Sequence, residues 1–217
     1  TGTIGPTGLM EKDLVLDVAQ RVGALIEQRL GAEVFYTRTG DESRSLEERT
    51  ALANEKKADL FLSIHANSGV PSATGTETYY LNFTTDRSAM EVAARENASS
   101  QRTISDLQSL IEKIALKDKV EESREFASKI QTSLFRELAK TNRTARDRGV
   151  RKAPFLVLIG AAMPSVLTEI TFLSNPREEK LLKTGDYRQK IAEGICNGLS
   201  QYASTLSRFQ VAETKSP

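Results

Sequence analysis

The sequence predicts a single α/β domain in which a mostly parallel, twisted sheet is flanked by helices. Two short apolar runs, at residues 58–65 and 166–170, indicate strands, and the near-continuous run at 58–65 is typical of a strand buried on both faces. Segments with apolar residues at helical spacing alternate with the strands, and this alternation favours a parallel sheet with helices on its faces. The length of 217 residues fits one domain of generous size or two small ones.

The composition excludes several classes of protein. Lys and Arg number 30 against 29 Asp and Glu, so the net charge of +1 argues against nucleic-acid binding through bulk charge. No apolar run approaches the roughly 18–20 residues that span a bilayer. The single cysteine, Cys196, excludes a disulfide within the chain and a multi-cysteine zinc site, and is expected to be a small core residue. The single histidine, His65, excludes a three-histidine zinc site.

The first helix is predicted at residues 11–30. Three glycines and a proline make residues 1–10 a loop. Leu14 and Val18 begin an apolar pattern at helical spacing, and Gly31 follows as a usual residue just past a helix end.

The remaining elements follow from apolar periodicity, β-branched and aromatic content, and turn residues. In chain order they are a strand at 34–38, a helix at 46–56, strands at 58–65 and 76–81, helices within 86–142, strands at 155–158 and 166–170, a short helix opened by Asn175 and Pro176, and a closing helix at 187–206. Ala127, Ile130, Leu134 and Leu138 mark the core face of the last helix within 86–142. Residues 99–119 are the most polar stretch and are expected to lie on the domain as an insertion.

Three side chains are candidates for chemistry. His65 closes a predicted strand, Glu169 lies inside another, and Glu11 opens the first helix directly after the glycine-rich loop. In open α/β sheets, ligands bind beyond the carboxyl ends of the strands, where His65 and Glu169 fall. A carboxylate in an apolar strand is costly to bury unless a cation, a metal or a function accounts for it.

One histidine and two glutamates suit a catalytic zinc ion. Imidazole and carboxylate are good zinc ligands, and a catalytic site usually keeps three protein ligands and one open position. Zinc lowers the pKa of a bound water to near neutrality, and a nearby glutamate can act as the base. Structural interpretations are also open: His65 as the hydrogen-bonded end of a buried strand, and Glu11 as a favourable charge at a helix N-terminus.

A basic cluster follows the predicted helical region. It comprises Arg143, Arg146, Arg148, Arg151 and Lys152. The cluster could guide an anionic substrate, or it could be a solvated loop after a helix end.

Six segments together resemble the zinc-dependent N-acetylmuramoyl-L-alanine amidases of bacterial cell-wall remodelling. They run in the family's order and cover the chain apart from the helical insertion and the tail. The segments are Gly-Thr-Ile-Gly-Pro-Thr-Gly-Leu-Met-Glu-Lys-Asp (2–13), Tyr-Thr-Arg (36–38), Leu-Glu-Glu-Arg-Thr-Ala-Leu-Ala-Asn (46–54), Ala-Asp-Leu-Phe-Leu-Ser-Ile-His-Ala-Asn (58–67), Gly-Thr-Glu-Thr-Tyr-Tyr-Leu (75–81) and Met-Pro-Ser-Val-Leu-Thr-Glu-Ile-Thr-Phe-Leu-Ser-Asn (163–175).

The resemblance implies an activity and a set of roles. The reaction is hydrolysis of the amide that joins the lactyl group of N-acetylmuramic acid to the first L-alanine of the stem peptide in peptidoglycan. Glu11 and His65 would bind zinc, and Glu169 would be the catalytic glutamate. The substrate implies an extracytoplasmic, periplasmic location and a role in cell-wall turnover during division.

One segment of the family is absent from this sequence. The family's first zinc ligand is a histidine in an Asp-Pro-Gly-His-Gly-Gly segment, which we expect just upstream of Thr1. We therefore expect residues 1–207 to form a catalytic domain without its first strand and one zinc ligand, followed by a frayed tail at 208–217. This chain alone should bind zinc weakly or not at all, and should be inactive.

Residues 87–119 resemble the inserted regulatory helix of the division-associated branch of the family. In that branch a glutamate of the helix occupies the open zinc position, and an activator with a LytM domain relieves the block. Glu96 is the candidate for the inhibitory glutamate here, and Glu91 is second. A solvated helical excursion without a gating role is the alternative.

Two other functions are compatible with the sequence. One is a non-catalytic peptidoglycan-binding or regulatory module with a degenerate metal site. The other is a carboxypeptidase-like zinc peptidase, in which the basic cluster would hold a peptide carboxylate, and the reaction products would distinguish it from an amidase.

Overall fold

The computed structural model describes residues 2–100 and 117–213, with side chains at 2–100 and 119–206. The helices in these residues are α1 (Glu11–Leu30), α2 (Leu46–Glu55), α3 (Arg87–Glu96), α4 (Lys117–Ala139), α5 (Pro176–Leu182) and α6 (Gly185–Glu213). The strands are β1 (Phe61–Asn67), β2 (Thr76–Leu81), β3 (Asp147–Ala153) and β4 (Ser165–Phe172). Two 3-10 turns, Asn97–Ser99 and Leu156–Leu158, complete the regular structure of this part of the chain.

The four strands form one mixed sheet in the order β1-β4-β2-β3. β1 pairs with β4, and β2 with β3, in parallel, whereas the central pair β2 and β4 is antiparallel. The direction reverses because only residues 68–75 connect β1 to β2, and a parallel return needs a crossover of about a dozen residues or more. The longer connection through α4 provides such a crossover, so β3 runs parallel to β2. The predicted α/β domain with flanking helices is therefore confirmed.

One face of the sheet packs against α1, α4 and α6. The buried face of α1 carries the predicted Leu14 and Val18, and the α4 residues in this layer include the four predicted ones, Ala127, Ile130, Leu134 and Leu138. Helices α4 and α6 approach closely, because a Cβ atom at Gly198 would lie 2.7 Å from the Cα of Ile130. Cys196 of α6 is buried in this core, as predicted.

The other face of the sheet carries α2, α3 and the 3-10 turn at Leu156–Leu158. Buried side chains of these elements surround Tyr79 of β2, whose ring meets Phe155 edge-on at 5.0 Å between centroids. Ala89 and Val92 bury one side of α3 in the same cluster. Helix α3 is therefore packed on the domain by its apolar side, which leaves its last turn free to reach the end of β1.

Two strand predictions are wrong. Residues 34–38 are irregular, because the four described strands pair only with one another and offer this segment no ladder. Arg38 instead donates to the carbonyls of Lys12, at 2.5 Å, and Gly40, at 3.0 Å. The segment predicted as a strand at 155–158 contains the 3-10 turn Leu156–Leu158 instead, because β2 ends at Leu81 opposite Ala153 and provides no partner beyond it.

The sequence pattern missed strand β3. Most side chains of Asp147–Ala153 are exposed or half-buried, so the strand lacks the apolar run that marks a buried one. The predicted helices α1, α2 and α5 are confirmed. The closing helix, predicted at 187–206, is α6, which begins at Gly185 and continues to Glu213. Residues 101–116 of the predicted insertion lie outside the described residues.

Within the residues that the structure describes, none of the helices combines the length and the apolar character needed to cross a lipid bilayer.

Candidate metal centre

The centre begins where β1 meets the N-terminus of α1. His65 lies near the carboxyl end of β1, and its Nδ1 atom is 3.1 Å from Oε1 of Glu11, the first residue of α1. The backbone N–H of Ala66 donates to the same oxygen at 3.1 Å, and the N–H of Thr3 donates to Oε2 at 2.8 Å. Two backbone amides therefore fix the Glu11 carboxylate and aim one oxygen at the imidazole.

Glu96 reaches the same imidazole from the last position of α3. Its Oε2 atom lies 2.9 Å from Nδ1 of His65. The neighbouring Arg95 donates to Oδ1 of Asn67 at 2.6 Å and to the carbonyl of Ser68 at 3.1 Å. The end of α3 is thus tied to the residues that follow His65 on the chain.

The ligand atoms of Glu11, His65 and Glu96 all lie within 4.8 Å of one another. Two ligands of a tetrahedral zinc, each about 2.0–2.1 Å from the metal, lie roughly 3.3–3.4 Å apart. The spacings of 3.1 and 2.9 Å from His65 to the two carboxylates are close to that value. One imidazole and two carboxylates therefore fit a divalent cation such as zinc in both chemistry and spacing.

Glu169 lies beside this group on β4. It is opposite His65 across the β1–β4 pairing and opposite Glu77 across the β2–β4 pairing. Its side chain is fully buried, and neither carboxylate oxygen has a hydrogen-bond partner among the residues that the structure describes. An unpartnered buried carboxylate is costly, so this group favours a site that takes up a cation or a proton.

The buried charges perturb one another. Burial would lower the pKa of His65, but the carboxylates of Glu11 and Glu96 outweigh it and raise that pKa well above its usual value. Burial would raise the pKa of Glu11, but its hydrogen bond with His65 and the backbone amides lower it. For Glu169, burial dominates and raises the pKa well above the usual carboxyl range. The two carboxylates therefore differ: Glu11 is held in its charged form, whereas burial makes Glu169 the stronger proton acceptor.

Sequence reasoning missed a network of polar side chains that lies beneath α3. The buried carboxylate of Glu77 accepts from Nδ2 of Asn67 at 2.5 Å and pairs with Arg151 at 3.0 Å. Arg151 also pairs, at 2.5 Å, with Asp86, which caps the N-terminus of α3. Since Arg95 is bound to Asn67, this network of side chains connects both ends of α3 through the sheet. Glu77 was open to prediction on the argument that singled out Glu169, since it too is a carboxylate inside a strand.

Other sequence candidates are engaged elsewhere. Glu91 is exposed and lies 3.6 Å from Arg87 on the same helix, so it does not reach the imidazole. Arg148 stacks on the ring of Phe172 at 4.5 Å, and Arg151 belongs to the side-chain network beneath α3. The predicted basic cluster is therefore not one surface.

Another buried glutamate holds the loop that leads into α1. Glu179 of α5 accepts from the backbone N–H of Thr7, at 2.8 and 3.0 Å to its two oxygens, and from that of Leu9 at 3.0 Å. Residues 2–10 end at Glu11, so this anchor positions the first residue of the centre. Gly5 lies against the same carboxylate, since a Cβ there would be 2.4 Å from Oε1 of Glu179.

The Glu179→Gln variant is expected to lower the free energy of unfolding by about 1–3 kcal/mol, because an amide cannot accept from both Thr7 and Leu9 through two oxygens. Burial would raise the pKa of Glu179, but the backbone amides outweigh it and lower that pKa. A carboxyl group whose pKa is lowered in the folded state stabilises the fold at pH values above its pKa in the unfolded chain. This stabilisation is lost as the pH falls through the folded-state pKa.

Urea unfolding of the wild type and the Glu179→Gln variant should therefore differ most near neutral pH, and converge as the pH falls below about 4. The exposed Glu33 offers a control, since its replacement by glutamine should leave the unfolding curve unchanged. A difference between wild type and Glu179→Gln that persists unchanged at low pH would contradict a role for the carboxylate charge.

A family model, N-acetylmuramoyl-L-alanine amidase (Amidase_3), matches residues 1–201. The N-acetylmuramoyl-L-alanine amidase AmiA of Salmonella typhimurium is 36% identical over 212 residues, which cover 93% of this chain and 71% of AmiA.

Solved structures give the same likeness. An N-acetylmuramoyl-L-alanine amidase from Clostridium difficile 630 has a TM-score of 0.71 and 29% identity, covering 94% of this chain and 89% of that one. The CwlD amidase from Clostridioides difficile, solved in complex with the GerS lipoprotein, has a TM-score of 0.70 and 26% identity over 94% of this chain and 92% of CwlD.

Proposed function

Because the chain belongs to the N-acetylmuramoyl-L-alanine amidase family, we propose that it is a zinc-dependent enzyme that cleaves the amide between N-acetylmuramic acid and L-alanine in peptidoglycan. The observation that carries the metal site is the convergence of Glu11, His65 and Glu96 beside the buried, unpartnered Glu169. The activity would serve cell-wall remodelling and the separation of daughter cells, outside the cytoplasm in the periplasm.

Glu11 and His65 would hold the metal. Glu11 is fixed by the N–H groups of Thr3 and Ala66, so its carboxylate is oriented before the metal binds. When bound, zinc supplies Lewis-acid chemistry: it lowers the pKa of water and polarises the scissile carbonyl. This chain's side chains then have two tasks, to hold the substrate amide at the centre and to move protons.

Glu169 is the proposed proton carrier. It is opposite His65 on the neighbouring strand, and no described residue competes for its oxygens. It would accept a proton from the attacking water and deliver that proton to the nitrogen of the leaving L-alanine. The C–N bond of the amide breaks as the muramoyl carboxylate and the free amine of the peptide form.

Glu96 is the proposed inhibitory group. Catalytic zinc keeps one open position for water or substrate, and a carboxylate that takes this position blocks both. Glu96 already lies 2.9 Å from the imidazole that would bind the metal. The following residue, Asn97, is buried and holds the end of α3 in place, since it donates to the carbonyl of Pro154 and accepts from the N–H of Leu156, both at 2.9 Å.

An activator would act on this helix. A partner that binds the displaced form of α3 more tightly than the docked form shifts the population toward the open site. We propose a protein with a LytM domain in this role. The complex of CwlD with a lipoprotein supports the general idea that an amidase of this fold pairs with a protein partner.

Product analysis tests the activity directly. The full-length protein, incubated with purified peptidoglycan and zinc, is expected to release peptides with a new N-terminal L-alanine and glycans with intact N-acetylmuramic acid. A chelator should stop the release, and added zinc should restore it. His65→Ala should lower zinc affinity by more than the roughly 10–100-fold that loss of an outer-shell partner costs.

Other products would identify other functions. Release of a single C-terminal amino acid from the stem peptide would indicate a carboxypeptidase. Retention of peptidoglycan without any released product, with or without zinc, would indicate a binding module.

A further inference from the structure

A cavity lies at the same end of the sheet as the proposed metal centre. It has a volume of about 770 Å³ and is lined by the loop after β1, the loop before β3 and the start of α5. The loop after β1 follows His65, and α5 begins four residues after the end of β4, the strand that carries Glu169. The cavity and the metal centre are therefore built on the same two strands.

Arginine dominates the polar lining of this cavity. Arg143, Arg146 and Arg177 all line it, and all three are exposed. Within residues 2–100 and 119–206, none of the three guanidinium groups has a carboxylate or hydrogen-bond partner. This sets them apart from Arg148 and Arg151, which are already engaged with protein groups.

Hydrogen bonds of α5 and of the residue before it connect the loops that form the walls of the cavity. Buried Glu178 accepts from Oγ1 of Thr74 at 2.5 Å and from Nδ2 of Asn142 at 3.2 Å, so one carboxylate joins the two loops. Asn175 adds a bond to the carbonyl of Ala73 at 2.9 Å. The cavity is thus a preorganised feature of the fold, and binding there would cost little ordering of the backbone.

Gly75 sets the distance between the two loops. Its φ is +111°, and a Cβ atom there would lie 2.5 Å from the carbonyl oxygen of Arg146. Only glycine permits this conformation and this approach without strain. The loop that carries Arg143 and Arg146 is held close to the loop after β1 as a result.

We propose that this cavity binds a carboxylate of the peptide that leaves during amide hydrolysis, which makes it an acidic-peptide subsite; the inference rests on the proposed function. In the proposed substrate the lactyl carboxyl group is consumed in the scissile amide. The remaining carboxylates of a muramoyl peptide lie on its peptide portion. Guanidinium groups match a carboxylate through paired, charge-assisted hydrogen bonds, so arginines without protein partners at the same end of the sheet as the proposed centre would select that portion.

Two measurements test the subsite. The first is calorimetric binding of the peptide L-Ala-Glu, and of the same peptide with its carboxylates amidated, to metal-depleted full-length protein. Wild type should bind the acidic peptide more tightly, and Arg143→Gln/Arg146→Gln should remove the preference. Arg136→Gln, which changes an exposed arginine of α4 away from the cavity lining, is the matched control and should keep it.

The second measurement is hydrolysis of a muramoyl peptide with free carboxylates and of its amidated analogue. The double variant should raise KM for the acidic substrate by roughly tenfold, as expected for loss of about 1.4 kcal/mol of binding, and leave kcat unchanged. KM for the amidated substrate should not change. Raising the salt concentration should weaken the binding of the acidic substrate only, because salt screens the interaction between exposed charges.

The outcomes separate the two proposals. Equal binding of the acidic and amidated peptides to wild type, or tighter binding of inorganic phosphate than of the acidic peptide, would overturn the acidic-peptide subsite. Selective peptide binding without hydrolysis of either substrate would keep the subsite and contradict the proposed amidase activity. Hydrolysis of both substrates with identical KM would support the amidase activity and contradict the acidic-peptide subsite.

Discussion

Replacement of Glu169 by glutamine is expected to lower kcat by about 10²–10⁴-fold, the usual contribution of a positioned acid or base. The substitution preserves the shape of a fully buried side chain. It removes the ability to take a proton from water and to return it to the leaving nitrogen. Zinc binding should stay intact, because Glu11 and His65 rather than Glu169 are the proposed ligands.

The same substitution should not destabilise the fold. Neither oxygen of Glu169 accepts a hydrogen bond from the described residues, so the change to an amide forfeits no contact there. A neutral amide also costs less to bury than a carboxylate. Thermal unfolding of the metal-depleted protein should therefore show the variant at least as stable as the wild type.

Three measurements on the full-length protein decide the role of Glu169. They are kcat on a muramoyl peptide, the zinc content after dialysis, and the melting temperature. Glu169→Asp is the matched acid variant, and it should keep part of the turnover that glutamine loses. Turnover within a factor of a few of wild type in Glu169→Gln would exclude the proton-carrier role. Loss of zinc together with turnover would instead make Glu169 a ligand.

The central candidates were visible in the sequence for a physical reason. His65 and Glu169 are polar residues in or at the end of apolar runs, and a buried strand has to account for such groups. Glu11 follows a glycine-rich loop at a helix start. The structure brings Glu11 and His65 to 3.1 Å and places Glu169 opposite His65 in register. Each placement depends on strand ends and a helix start, which sequence patterns locate well.

Features that depend on tertiary partners were not predictable in the same way. Strand β3 has no apolar run because most of its side chains are exposed or half-buried, and residues 34–38 have the composition of a strand without a described neighbour to pair with. The anchor at Glu179 joins residues 172 positions apart, which no local pattern records. Likewise, the sequence grouped five basic residues by proximity, whereas the structure divides the four arginines among them between a stack on Phe172, an ion pair with the buried Glu77 and an open cavity.

Replacement of Glu96 by alanine is expected to raise the basal rate of hydrolysis. The proposed block consists of the contact between Glu96 and the centre, and hydrogen bonds to charged groups contribute about 1.5–3 kcal/mol. Because each 1.4 kcal/mol is a factor of ten in an equilibrium, the open population should grow by roughly 10–150-fold. The rate should rise by the same factor until the open form predominates.

Glu91 is the matched control for this substitution. It lies on the same helix and has the same side chain, but it is exposed and its ion-pair partner is Arg87. Glu91→Ala should leave the basal rate unchanged. Arg95→Ala should raise it, because Arg95 ties the end of α3 to Asn67 and Ser68. Deletion of residues 95–118 should raise it further.

The direction of the change separates inhibition from metal binding. Glu96 is one of three groups whose ligand atoms converge, so it could instead be a permanent ligand. A permanent ligand predicts that Glu96→Ala loses zinc and activity together. An inhibitory group predicts the opposite sign, a faster enzyme whose zinc content at saturating metal is unchanged. Steady-state rates of the full-length variants, measured with metal content on the same samples, therefore give an answer in either direction, and an unchanged rate in both Glu96→Ala and the deletion would remove the gating role of α3.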